Sequence, residues 1–150
     1  MSGNRILGMP VMLKRVYDEP ASTDRFRILV DRLWPRGLTK DAARVDIWLK
    51  QIAPSDELRR WYHARPLQWQ AFREKYLNEL SNDAEAAKAL AELHTLVNKQ
   101  KAVTLLYASK NTDHNNATVL KELLDGMRKP PRSTGASGAA VRIAKRAQAR

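Results

Sequence analysis

The stretch Ile28–Gly37, ILVDRLWPRG, restricts the folds open to this chain more than any other. Its front half, Ile28, Leu29 and Val30, has the β-branched, apolar character of a buried strand. Pro35 cannot donate to a ladder, so the strand stops at or before Trp34. Gly37 then lets the chain turn where a side chain would be strained. Asp31, Arg32, Trp34 and Arg36 are thereby set at the mouth of a strand, where open α/β sheets bind their ligands. Plain structural roles compete: an edge ion pair for Asp31 and Arg32, a lid on the core for Trp34, a simple turn for Pro-Arg-Gly.

Two further strands frame this one. Leu13–Asp18, LKRVYD, reads as the first, with Tyr17 and Asp18 at its carboxyl end, and Phe26–Trp34 as the second. Lys101–Ser109, KAVTLLYAS, is the clearest of all, apolar enough to be central and buried on both faces. The residues between are helical in pattern. Thr39 or Asp41 is placed to cap a helix whose Val45, Trp48, Leu49 and Ile52 fall at i, i+3, i+4 and i+7, and Pro54 ends it. Ser55 caps the next, with Asp56 and Glu57 in its first turn, and Pro66 suits the first position of a third. Trp69, Phe72, Tyr76 and Leu80 stripe that third helix. Ala86, Leu90, Leu93 and Val97 stripe a fourth, over about 83–99. In the last, Val119, Leu120, Leu123, Leu124 and Met127 turn inward and Gly126 marks a stop. This order predicts a single-domain α/β fold: a small, largely parallel sheet flanked by helices, three-layered and Rossmann-like, with a fourth strand hidden in what reads as helix.

At 150 residues the chain suits one domain with a real core. It has no cysteine, which excludes disulfides, thiolate metal sites and cysteine nucleophiles. No stretch approaches the roughly 20 apolar residues of a membrane span, and the N-terminus lacks a cleavage pattern, so a soluble cytoplasmic protein is the default. The net charge is +11, and six of those charges lie in Lys129–Arg150, which holds no acid. That segment opens with Pro130 and Pro131 and continues as STGASGAA, a disordered or linker-like composition. We therefore divide the chain into an extension (1–12), an α/β domain (13–128) and a basic tail (129–150).

VDRLWPRG, with KRVYD upstream and TLLYASKN downstream, resembles the YeaO-like family over about Lys14–Leu124. The family belongs to a larger group labelled as a domain of unknown function, so the resemblance implies an α/β sandwich and carries no established reaction. Members commonly read Asn-His-Ala where this chain has Asn115, Asn116 and Ala117, with a histidine instead at His114. If the family's histidine is a base or metal ligand, this chain must use His114 from a shifted place or do without. Tyr62-His63 matches a family aromatic-histidine pair, which makes His63 the better histidine candidate.

A second informative place is SKNTDHNNA, Ser109–Ala117, which leaves a buried strand and enters a helix whose first N–H groups are unpaired. Lys110 adds positive charge there, and Ser109, Asn111, Asn115 and Asn116 add donors. If this strand lies beside the Ile28 strand, then Tyr17, Arg32, Arg36, Gly37 and Lys110 rim one crevice that suits a phosphate, carboxylate or nucleotide-like ligand. Helix capping is the competing role for Asp113 and Asn115. Acid–base work would fall to Asp18, Asp31 or His63, with Asp18 the first choice for a perturbed carboxylate. The cofactor is unknown, and no dinucleotide, Walker or nucleophile-elbow motif is present. A metal held by His63, Asp18 and His114 is conceivable but lacks ligand spacing. Three readings result, in this order: a small-anion or nucleotide-like ligand site, with enzymatic use left open; nucleic-acid binding through a basic face and tail; and a metal-binding domain. Trp48, Trp69, Phe72 and Tyr76 are assigned to the core.

Overall fold

The computed structural model of the chain describes residues 11–128. Four strands, β1 (Val11–Arg15), β2 (Phe26–Leu29), β3 (Ile47–Trp48) and β4 (Val103–Tyr107), make one sheet in the order β1-β4-β2-β3. Every pairing is parallel. Five helices complete the fold: α1 (Lys40–Ala43), α2 (Asp56–Ala64), α3 (Trp69–Asn82), α4 (Ala84–Gln100) and α5 (Asn116–Arg128). Short 3-10 turns lie at Ser22–Asp24 and Lys50–Ile52. This is a single-domain α/β fold with a parallel sheet.

The apolar run Val103–Tyr107 is buried at every position, and β4 accordingly sits between β1 and β2. Its side chains divide between two cores. Val103, Leu105 and Tyr107 join Ile28, Val30 and the inward stripes of α2 to α5. Leu106 joins Val16, Leu29 and Ala43 on the opposite face, under Trp34, Leu38, Val45 and Trp48. One face is thus covered by four helices, the other by α1 and the loops around it. Within the larger core Tyr76 is fully buried and donates its hydroxyl to Ile52 O at 2.6 Å.

Several helix signals act as expected. Thr39 Oγ1 accepts from Ala42 N, and Ser55 Oγ accepts from Leu58 N. Asp83 caps α4 through Ala86 N. Phe72, Tyr76, Leu80, Ala86, Leu93 and Val97 are buried, whereas Trp48, Trp69 and Leu90 are half-buried.

Other expectations are corrected. Residues 44–53 do not continue the helix: Arg44 takes a left-handed conformation (φ 51°, ψ 43°) that ends α1, Ile47–Trp48 pairs with Ile28–Leu29 as the fourth strand, and only Lys50–Ile52 is helical, as a 3-10 turn. Pro66 does not open a helix, because α3 begins at Trp69 after a turn closed by Gln68 N to Arg65 O. Helix α5 runs through Gly126 to Arg128. The first strand begins at Val11, inside the stretch read as an extension, and ends at Arg15 rather than Asp18. The remainder of the extension and the tail from Lys129 lie outside the described residues. Among the described residues no helix is long and apolar enough to cross a membrane.

Candidate functional site

The parallel sheet sends the ends of β1, β2 and β4 out on one edge, and the loops that follow are tied to each other. Arg15, the last residue of β1, donates from Nε to Ser109 O at 2.9 Å and from Nη2 to Ala108 O at 3.1 Å. Its guanidinium carbon lies 5.2 Å from the centre of the Tyr17 ring. Tyr17 in turn donates its hydroxyl to Arg36 O at 2.9 Å. A continuous path, Ser109–Arg15–Tyr17–Arg36, therefore joins the loops after β4, β1 and β2. Gly37, at φ +84°, supplies the turn behind Arg36; a Cβ there would meet nothing, so its role is conformational. The Arg36 guanidinium and the Lys110 ammonium are exposed and have no partner among the described residues. Asp18 is exposed, its N–H turned back to Arg15 O.

Beneath this rim lies Asp31, half-buried at the end of β2. Its Oδ2 accepts from Ala108 N at 2.8 Å, and its Oδ1 accepts from Asn116 Nδ2 at 3.1 Å. Asn116 Nδ2 also donates to Val30 O at 2.8 Å, so one amide pins the start of α5 to β2. Burial pushes the Asp31 carboxyl above its ordinary 3.8; the Ala108 N–H, the Asn116 amide and the Arg59 charge offset part of that. The Asp31 carbonyl accepts from Trp48 Nε1 at 2.7 Å, which locks the same residue from its backbone side. Tyr107, at the end of β4, has its hydroxyl pKa raised, first by burial and then by the Asp18 carboxylate.

The other candidates divide clearly. Arg32 turns away from the rim and donates to Ala53 O and Pro54 O, fastening β2 to the start of α2. Asn115 is buried and acts as a helix cap: Oδ1 accepts from Thr118 N at 3.0 Å, and Nδ2 donates to Asn111 O. Asn111 Oδ1 accepts from Asp113 N and His114 N, and Ser109 Oγ accepts from Asn111 N, so both organise their own loop. His63 is exposed on the last turn of α2 and joins none of these contacts. The His114 ring stacks on Trp69 at 4.5 Å, so it does not stand in at the Asn116 position. Among the described residues no three of His, Asp and Glu converge as metal ligands, and the conceivable His63–Asp18–His114 site is not formed.

Sequence reasoning missed Arg15, although it lies within the KRVYD segment. Its signal was its place as the last residue before the turn of β1, readable only once the strand is known to end there.

The chain matches the family model described as the inactive DUF488-N3 subclade over residues 10–138. It is 45% identical over 116 residues to the uncharacterized protein YeaO of Escherichia coli K12, covering 77% of this chain and 97% of that one. It is 43% identical over 116 residues to the uncharacterized protein Rv3073c of Mycobacterium tuberculosis H37Rv, covering 77% and 94%. No solved structure matches it. With a family model over most of its length and relatives this similar along nearly their whole chains, the protein belongs to the YeaO-like family, within the inactive DUF488-N3 subclade.

Proposed function

We propose that the protein binds a small anionic, nucleotide-like or phosphorylated ligand at the carboxyl ends of β1, β2 and β4, and binds it without turnover. The observation that carries this reading is the path Ser109–Arg15–Tyr17–Arg36, which ties the Arg36 carbonyl to the residue before Lys110; Arg36 and Lys110 are two exposed cations without a side-chain partner among the described residues. Flexible loops would have to be ordered when a ligand arrived; loops already bonded to one another lose less freedom on binding.

Two points support binding over catalysis. The Asp31 carboxylate spends both oxygens on Ala108 N and the Asn116 amide, and an amide neither takes up nor releases protons near neutral pH. The family is itself described as an inactive subclade.

Thermal melts of the full chain against nucleotides, inorganic phosphate and small carboxylates test the reading. A ligand at 100 times its dissociation constant adds about 2.7 kcal/mol of stability to the folded state. A shift with one anion class, lost in both Arg36→Ala and Lys110→Ala, is expected. Neither side chain has a partner among the described residues, so the variants should melt like the parent without ligand. A panel that moves nothing, or shifts that persist in both variants, would overturn the proposal. A second reading, nucleic-acid binding, rests on the six basic residues from Lys129 onward and has its own signature in salt dependence.

A further inference from the structure

A half-open cavity of about 300 Å³ lies at the opposite edge of the sheet, at the amino ends of β2 and β3. Pro20, Ala21, Ser22, Arg25, Arg27, Arg44 and Asp46 line it. Its volume sits at the lower bound of small-molecule sites. Three arginines face one aspartate, and they are not equivalent. Arg27 is 4% exposed and fully engaged: it pairs with Asp24 and donates to Arg44 O at 3.0 Å and Ala43 O at 2.7 Å. Asp46 Oδ2 accepts from the Arg27 N–H. Arg27 is therefore the fixed wall of the cavity. The Arg25 and Arg44 guanidiniums, by contrast, have no partner among the described residues.

Their backbones show how the two arginines reach one cavity. Only three non-glycine residues among those described have positive φ, and two of them are Arg25 (φ 63°) and Arg44 (φ 51°). Glycine takes such conformations without the clash a Cβ brings. Each ends a helical turn, Arg25 the 3-10 turn Ser22–Asp24 and Arg44 the helix α1, and the two turns bring both arginines to one cavity.

We propose that this cavity is a second anion site, distinct from the carboxyl-edge rim, and takes a phosphate or phosphomonoester dianion. Arg25 and Arg44 hold it from two sides through paired N–H donors, and the Ser22 hydroxyl supplies a third contact. Arginine's planar fork matches a tetrahedral oxyanion in a way that a lysine would not.

The test is a titration of the full chain, followed by amide and arginine Nε–H NMR, with inorganic phosphate and separately with ribose 5-phosphate. Saturable shifts are expected at Ser22, Arg25, Arg44 and Asp46. Arg25→Gly and Arg44→Gly should each weaken binding about tenfold, the loss expected of a charged hydrogen-bonding partner. Both should melt no lower than the parent, because glycine fits both backbones, so lost binding cannot be blamed on lost fold. Saturation by phosphate alone assigns the free ion, and saturation by the ester alone assigns an organic phosphate; either supports the proposal. Shifts absent from these four residues, or unchanged in the double glycine variant, would overturn it. Because Arg36→Ala and Lys110→Ala leave this cavity intact, failure at one edge does not carry over to the other.

Discussion

Burial raises the Asp31 carboxyl above 3.8, and its hydrogen bonds do not fully reverse that. The folded protein then keeps a proton on Asp31 over a pH range in which the unfolded chain has released it. This group's contribution to stability is present below pH 3.8 and is lost as pH rises through the raised value. Asp24 runs the other way. Burial raises it too, but the Ala21 N–H and the Lys14 and Arg27 cations outweigh burial and hold it below 3.8. Its contribution is present above 3.8 and lost as pH falls through the lowered value. The two windows meet at the ordinary value and do not overlap, so they can be separated. In urea unfolding between about pH 3 and 7, Asp31→Asn should gain stability relative to the parent as pH rises above 3.8. A difference that stays flat there would remove the raised carboxyl. Asp24→Ala should cost about 3–5 kcal/mol near neutral pH, because it leaves the buried Arg27 without its carboxylate. It should also flatten the acid limb below 3.8. Asp31 and Asn116 each stand out in the chain, yet their contact is not legible there. They are 85 residues apart and meet only because β4 enters between β1 and β2. The positive φ of Arg25 and Arg44 carries no sequence mark at all, since neither is glycine.

At the scale of elements, residues 39–54 show where a pattern misleads. Val45, Trp48, Leu49 and Ile52 fit one helical face, but Ile47, Trp48 and Leu49 are also a short continuous apolar run, as in a strand buried on both faces. The folded chain uses the run as a strand: Ile47 and Leu49 pack into the larger core, and Trp48 packs into the smaller one on the other side of the sheet. On a helix Trp48 and Leu49 would have shared a face. Tertiary contacts decide between the two patterns. Asp46 N donates to Arg27 O and Leu49 N to Leu29 O, so β2 offers an edge that a helix could not satisfy. Trp48 Nε1 donates to Asp31 O, and its ring meets Trp34 edge-on at 5.4 Å. Trp48→Phe should therefore cost about 1 kcal/mol for the lost hydrogen bond. Trp48→Ala should cost about 3 kcal/mol, the low end for a tryptophan truncation because the side chain is half-buried. Denaturant midpoints check the ordering. A phenylalanine variant as stable as the parent would mean that the indole N–H does not hold β3 against the candidate site.

Across the whole molecule, three groups of positive charge have separable consequences. Arg36 and Lys110 sit at the carboxyl edge, Arg25 and Arg44 at the amino edge, and six basic residues follow Arg128 in sequence. The parallel α/β architecture was legible because the apolar run at Val103–Tyr107 demands cover on both faces, and a strand that needs cover on both faces belongs at the centre. The unequal covering of those faces was not, since it depends on α2 to α5 all packing on one side. Buried contacts of α5 end at Leu124, with Met127 already 45% exposed. Removal of residues 129–150 should therefore leave the melting point of the chain unchanged. The family match extends to residue 138, so a lower melting point would show that residues past Arg128 contribute to the fold. Binding to duplex nucleic acid gives the sharper separation. Each phosphate neutralised contributes about −0.9 to the slope of log affinity against log salt, so loss of the tail should flatten that slope by up to about 5. A slope that does not change would place any polyanion contact on the folded edges, where Arg36→Ala and Arg25→Gly then decide between them. If the slope collapses while phosphate still saturates both edges, the tail and the domain bind anions independently, one by charge density and the other by geometry.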